Sequence, residues 1–194
     1  SGCGALGQAS LLPKLPTYAV IEAARKYQTF FDHITPLEPL DRQSKKIRVG
    51  YISPDFRQHA VANFVEPFFR YFDAARFEVF CYQTTRGDAV TRRLKKCNVR
   101  WRELIEQTPL ESARIIHDDA LDILIDLSGH SQNSCLPIMA YKPARIQISA
   151  LGYIASTGLA AIDYFLSDAF CLPIDREASE FSEKIIRLPD CHMC

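Results

Sequence analysis

The sequence predicts an α/β fold, a doubly wound parallel sheet with helices on both faces. Two observations carry this reading. From Lys46 onward, short and almost continuous apolar runs alternate with stretches of helical period, as in parallel strands buried on both faces. Glycines, histidines and hydroxyl residues also gather directly after those runs, at the strand ends where such sheets bind ligands.

The elements follow in order. Residues 1–16 carry Gly, Ser and Pro and read as a leader or an expression remnant. Residues 18–34 place Val20, Ala23, Ala24, Tyr27, Phe30, Phe31 and Ile34 at three-and-four spacing, an amphipathic helix ended by Pro36 and Pro39. The polar stretch PLEPLDRQSKK then connects this helical bridge (17–45) to the sheet domain (46–194). Strands are predicted at 47–52, 77–83, 122–127, 145–151 and 163–167, with shorter ones at 99–102 and 184–188. Helices are predicted near 60–72, 88–97, 109–119 and 134–141. Pro67, inside the first of these, should kink it or cost it a backbone hydrogen bond.

Composition excludes several classes. With 23 basic and 23 acidic residues the formal net charge is zero, so nothing favours nucleic acid or a membrane surface as partner. No apolar run approaches the roughly 20 residues that span a bilayer, and none has signal-peptide order. The seven cysteines are dispersed and read as reduced thiols of a cytoplasmic protein. Cys191 and Cys194 form one CxxC with no second pair, a poor basis for a metal site.

Three loops carry candidate chemistry. After the first strand, SPDFRQHA places Asp55 and His59 just before a helix N-terminus. The positive end of that helix favours a neutral imidazole able to accept a proton. The plainer alternative is that Gln58 and His59 begin a helix at the surface. After the strand at 122–127, DLSGHS offers Asp126, His130 and Ser131 around a turn that Gly129 allows; a turn-bonding aspartate and an exposed histidine are the plainer reading. After the next strand, LGYIASTGL brings Ser156 and Thr157, suited to holding sugar or phosphate oxygens. No GxGxxG, Walker or GxSxG motif occurs. His117, Asp118 and Asp119 read as a helix end, and Trp101 as packing.

The blocks IRVGYISPDFRQHAVANFVEPFF, RFEVFCYQ, DDALDILIDLSGHS, KPARIQISALGYIASTGLAAIDYFLSD and EKIIRLP, in this order, resemble the catalytic region of bacterial O-linked N-acetylglucosaminyltransferases linked to tetratricopeptide repeats. The resemblance covers residues 17–194. It implies the Rossmann-like N-terminal lobe of a GT-B glycosyltransferase, preceded by a helical bridge from the repeats. It also implies metal-independent, inverting transfer of N-acetylglucosamine from its UDP donor to Ser or Thr of a protein or peptide acceptor. No cofactor is implied beyond the UDP-sugar, which is held mainly by a second, C-terminal lobe. A whole GT-B enzyme needs about twice this length, so the fragment alone is expected to be inactive.

By position, His59 matches a histidine that acts in the family as catalytic base or as a sugar contact. Asp126 and His130 match an active-site edge, with Asp55 and Ser131 beside them, and Ser156 and Thr157 match a loop near sugar and acceptor. The sequence departs from the family pattern at Ile154 (usually Pro), Ser131 (usually Thr), QNSCL (usually a Gly/Asn/Arg-like run) and Ala120 (usually Gly). Ile154 is expected to loosen its loop. The rival expectations are a non-catalytic module that binds acceptors or other proteins, and a GT-B enzyme with a different nucleotide-sugar donor.

Overall fold

The structure, a computed structural model, describes residues 17–41, 45–173 and 181–191. The expected leader and Cys194 of the terminal CxxC lie outside the described residues, as do the side chains at 17, 18, 20 and 21. The strands are β1 (Ile47–Ser53), β2 (Phe77–Gln83), β3 (Arg100–Glu103), β4 (Ile123–Asp126), β5 (Ile146–Ser149), β6 (Tyr164–Asp168) and β7 (Lys184–Leu188). The helices are α1 (Thr17–Thr29), α2 (Ala60–Tyr71), α3 (Ala89–Leu94), α4 (Pro109–Asp118) and α5 (Leu136–Met139).

The strands form one sheet in the order β3-β2-β1-β4-β5-β6-β7, with every pairing parallel. The order reverses at β1, whose Ile52 lies between Tyr82 of β2 and Asp126 of β4. This is the topological switch point, where sheets of this kind open a crevice at their carboxyl ends.

Pleating divides the side chains between two cores. On one face Ile52, Phe80, Tyr82 and Leu124 pack with Ile116 of α4, Met139 of α5 and Tyr27 of α1. On the other, Val79 and Cys81 pack with Val61, Val65 and Phe69 of α2 and with Leu94 of α3. Each such buried aliphatic or aromatic side chain contributes about 1.5–3 kcal/mol. No described helix is long and apolar enough to cross a membrane.

Local chemistry explains where the helices start and stop. Asp88 and Thr91 form a capping box on α3, and Thr108 and Glu111 form one on α4, with Pro109 in its first turn. Helix α2 continues through Pro67; Asn63, whose carbonyl the proline leaves without a donor, is exposed to water. Three helices are shorter than their apolar periodicity suggested. Helix α1 ends at Thr29, and the chain continues through tight turns, Phe30 and Phe31 donating to the carbonyls three residues back. Helix α3 ends at Leu94. Helix α5 is a single turn between the left-handed residues Asn133 (φ 60°) and Lys142 (φ 48°).

The connector is held against the lobe. Leu37 N–H donates to the Tyr141 carbonyl (2.8 Å), His117 Nε2 donates to the Glu38 carbonyl (2.7 Å), and Arg145 bonds Asp41 (2.7 Å). Asp119 does more than solvate a helix end: it accepts from Tyr82 Oη (2.9 Å) and from Arg102 (2.8 Å).

Ala120 follows the C-cap of α4 with φ 47°, the left-handed position that glycine fills at no steric cost. Ala120→Gly is therefore expected to stabilise the chain by about 1 kcal/mol. Urea unfolding of the two chains checks it; a lower midpoint for the glycine variant contradicts it.

Candidate active site

Three loops meet at the carboxyl edge of the sheet. The first, after β1, is fixed at several points. Ser53 Oγ accepts from Asp55 N–H (3.0 Å), and Thr85 Oγ1 donates to the Pro54 carbonyl. The Phe56 ring is fully buried between Phe69 (5.8 Å) and Trp101 (5.7 Å), so Trp101 is a packing residue. Thr91 Oγ1 donates to the Phe56 carbonyl (2.6 Å), and Asp88 accepts from Gln58 N–H (2.7 Å). These anchors deliver His59 to the N-cap of α2 with extended backbone, φ −154° and ψ 156°. Its Nδ1 accepts from Val61 N–H (3.3 Å), and its side chain is 46 % exposed. Asp55 Oδ2 stands 3.8 Å from the same nitrogen, beyond hydrogen-bonding distance, while Asp55 Oδ1 faces Arg57 at 3.4 Å.

The second loop, after β4, turns inward. Asp126 is fully buried and accepts from Ser128 N–H (3.1 Å), Ser128 Oγ (2.6 Å) and Gly129 N–H (2.7 Å). Burial pushes its carboxyl above the usual range, against the pull of those donors. His130 is buried, edge-on to the rings of Tyr27 (4.5 Å) and Tyr153 (5.3 Å). Its Nε2 lies 2.7 Å from the Thr157 carbonyl, which can only accept, so Nε2 carries the proton. Nδ1 is then a bare lone pair, buried with no hydrogen-bond partner. Ser131 Oγ is likewise buried with no partner.

The third loop, after β5, is tied to β7. Ser156 Oγ donates to Glu183 Oε2 (2.7 Å), Thr157 N–H to Glu183 Oε1 (2.8 Å), and Thr157 Oγ1 to the same oxygen. All three residues are buried.

The residues chosen from the sequence thus fall into two groups. His59 stands at the open edge, with the buried Asp55 beside it. Asp126, His130, Ser131, Ser156 and Thr157 lie beneath that edge; His130 Nδ1 and Ser131 Oγ are buried with no partner, the other polar side-chain atoms hold the loops, and the Ser156 and Thr157 hydroxyls expected to face a sugar face Glu183. Glu183 was not chosen from the sequence, because a glutamate before a short strand is ordinarily a solvated residue. Among the described residues, no three His, Cys, Asp or Glu side chains gather as a metal-holding group, and Cys81, Cys97, Cys135 and Cys171 are free thiols.

The buried histidine has a consequence for pH. Desolvation lowers the His130 pKa from the ordinary 6.5, while the Thr157 carbonyl and Glu183 pull the other way. A depressed folded pKa means that the unfolded chain takes up the proton first. Stability is full above the unfolded pKa and declines as pH falls from about 6.5 toward the folded value, by up to 1.4 kcal/mol per pH unit. Urea midpoints between pH 7.5 and 5 should show this decline, and His130→Gln, which keeps a donor for Thr157, should flatten it. Equal slopes in the two chains contradict the assignment.

Comparison with known proteins places this edge in a family. The sequence profile of glycosyl transferase family 41 matches residues 27–194. The chain belongs to glycosyl transferase family 41. Among family relatives, it is 34 % identical over 185 residues to the Arabidopsis thaliana protein named "Probable UDP-N-acetylglucosamine--peptide N-acetylglucosaminyltransferase SPINDLY", covering 90 % of this chain and 20 % of that protein. It is 32 % identical over 195 residues to the UDP-N-acetylglucosamine–peptide N-acetylglucosaminyltransferase of Caenorhabditis elegans, covering 93 % of this chain and 17 % of that one. The fold matches a lysine-to-methionine mutant of the Thermobaculum terrenum O-GlcNAc transferase with TM-score 0.91 and 29 % identity, over 99 % of this chain and 38 % of that one. The seven-stranded parallel sheet is thus a GT-B lobe of family 41, and the chain spans about a fifth of the length of the curated relatives it matches.

Proposed function

We propose that this chain is the N-terminal catalytic lobe of a protein O-linked N-acetylglucosaminyltransferase that moves N-acetylglucosamine from UDP-N-acetylglucosamine to Ser or Thr hydroxyls of protein acceptors. The observation that carries the reading is the family 41 match over residues 27–194, with the loops after β1 and β4 rising from the switch point of the sheet.

In the whole enzyme the acceptor hydroxyl attacks the anomeric carbon. The bond from that carbon to the diphosphate oxygen breaks with inversion, the electron pair leaves with UDP, and the hydroxyl proton passes to a water molecule oriented beside His59. The second lobe holds the nucleotide and stabilises charge on the leaving diphosphate. The UDP-sugar is a consumed substrate, with no resident cofactor or metal required, and the reaction takes place in the cytoplasm. Asp55 and His59 border the reacting groups, with Ser131 on the next loop. Asp126, His130, Ser156 and Thr157 fix the loops from below.

The test is transfer of radiolabelled N-acetylglucosamine to a protein acceptor by the full-length enzyme and by this chain alone. The full-length enzyme should transfer it, and the lone chain should be slower by about 1,000-fold or more, because the charge-stabilising half of the cleft is gone. Transfer by the lone chain at full-length rates, or a full-length enzyme that uses only another nucleotide sugar, overturns the reading.

A further inference from the structure

Two cysteines stand at matching positions past the ends of neighbouring strands. The last backbone pair of β6 and β7 is Asp168 with Leu188, and Cys171 and Cys191 each lie three residues beyond it. Both are exposed, whereas Cys81 and Cys135 are buried and Cys97 packs against the core beneath α2. Adjacent strands run about 4.8 Å apart, and a disulfide joins α-carbons about 4.4–6.8 Å apart. Equal offsets past one registered pair therefore suit a bridge, provided that the chain stays close to the sheet.

After β6 it folds back over its own last residue. Asp168 Oδ1 accepts from Phe170 N–H (2.9 Å) and Cys171 N–H (2.7 Å), and Leu172 N–H donates to the Asp168 carbonyl (3.0 Å). Arg187 of β7 ties this turn to the neighbouring strand, its Nε donating to the Leu172 carbonyl (3.1 Å). After β7 the chain bends at once, at Pro189 and Asp190, and so reaches Cys191. The two sulfurs feel each other. Partial desolvation, the Asp168 carboxylate and a charge on Cys191 all push the Cys171 thiol up.

We propose that Cys171 and Cys191 form a reversible disulfide when the protein meets a peroxide, a redox modification site that clamps β7 to β6 at the carboxyl edge of the sheet. The pairing stands on the strand register and the turn geometry and is independent of the proposed function. In the cytoplasm such a bridge is transient, because cellular thiols reverse it.

The order of the steps follows from Asp168, whose carboxylate keeps Cys171 protonated, so that oxidation begins at Cys191. The Cys191 thiolate attacks one oxygen of hydrogen peroxide, the O–O bond breaks, hydroxide leaves, and the sulfur becomes a sulfenic acid. The Cys171 sulfur then attacks that sulfur, the S–O bond breaks, and a second hydroxide leaves. The protons given up by the two thiols turn both hydroxides into water. The peroxide gains two electrons, and the two thiols lose them in forming one disulfide.

The test treats the full-length enzyme with hydrogen peroxide, blocks remaining thiols with N-ethylmaleimide and digests it without reductant. A peptide pair joined through Cys171 and Cys191, released by dithiothreitol, should exceed any other cysteine pair by about tenfold or more. Cys191→Ser should leave Cys171 alkylated, and Cys171→Ser should halt Cys191 at the sulfenic acid, where dimedone traps it. A bridge from Cys191 to Cys194, a bridge between two copies, or full alkylation of both cysteines overturns the proposal. So does a Cys171 that oxidises as much in Cys191→Ser as in wild type. The bridged enzyme should also unfold at a higher urea midpoint than the reduced one, with no such rise in either serine variant, because the cross-link restrains the unfolded chain. A lower midpoint would mean that the sulfurs had been dragged together against the fold, and it too overturns the juxtaposition.

Discussion

Gly152→Ala is expected to remove a large part of the chain's folding stability. A Cβ at residue 152 would lie 1.8 Å from the Leu127 carbonyl oxygen and 2.7 Å from its carbon. Both obstacles are backbone, and neither can swing aside. Leu127 is fully buried in the core beneath α2, and its N–H is bonded to the Ile52 carbonyl at 3.1 Å. On the other side, Ala150 N–H bonds the Asp126 carbonyl (2.9 Å) and Gly152 N–H bonds the Ala150 carbonyl (2.7 Å). Relief requires the ends of β4 and β5 to part by about an ångström, breaking pairings that set both loops.

We expect a cost of about 3 kcal/mol or more, a large part of the 5–15 kcal/mol that ordinarily holds a domain together. Gly50→Ala supplies the comparison. There the added Cβ meets Leu121 Cδ1 (2.5 Å) and Tyr82 Cε2 (2.9 Å), side-chain ends that can shift, so its cost should be nearer 1–2 kcal/mol. Urea midpoints of the three chains decide it. A Gly152→Ala chain as stable as wild type, or more stable than Gly50→Ala, contradicts the close approach.

The contrast between these glycines marks the limit of what the sequence discloses. Strands were legible because a parallel strand buried on both faces must be apolar throughout, and IRVGYI or DILIDL can be little else. The position of His59 was legible for the same reason: it follows the end of a clear strand and precedes a clear helix. Periodicity misled where turns imitate helix. Phe30, Phe31 and Ile34 continue the stripe of α1, yet they lie on successive tight turns, with Phe30 63 % exposed.

The candidate site divides along the same line. Sequence placed Asp126, His130, Ser156 and Thr157 correctly at strand ends, but a strand end has an outer and an inner side. Which side a polar residue takes depends on a partner distant in sequence, and for Ser156 and Thr157 that partner is Glu183. Tautomers are hidden for a similar reason, since the Thr157 carbonyl, 2.7 Å away, decides the protonated nitrogen of His130.

Glu183→Ala should show how far that buried partner supports the edge. Its carboxylate takes two donors from Thr157 and one from Ser156, all buried. Removing it leaves a backbone N–H and two hydroxyls without their acceptor, at about 1–3 kcal/mol each where they stay dry, so a total near 3–5 kcal/mol is expected. The damage should also travel. Thr157 gives its N–H to Glu183 and its carbonyl to His130 Nε2, so the carboxylate holds the loop after β4 through the loop after β5. Glu183→Gln is the informative companion. Its single oxygen can serve Thr157, but its amide would face Ser156 Oγ, which already accepts from Gly158 N–H (3.2 Å) and Ser182 N–H (3.1 Å). We expect about 1–2 kcal/mol for Gln. In a double-mutant cycle with Thr157→Val, measured by urea unfolding, Glu183→Ala and Thr157→Val should couple by about 1 kcal/mol or more. Additive losses would mean that the carboxylate and the Thr157 hydroxyl do not share a bond in the folded chain. In the full-length enzyme, Glu183→Ala should lower transfer even at temperatures where it remains folded, because His130 loses its anchor while His59, tied to α2, keeps its own.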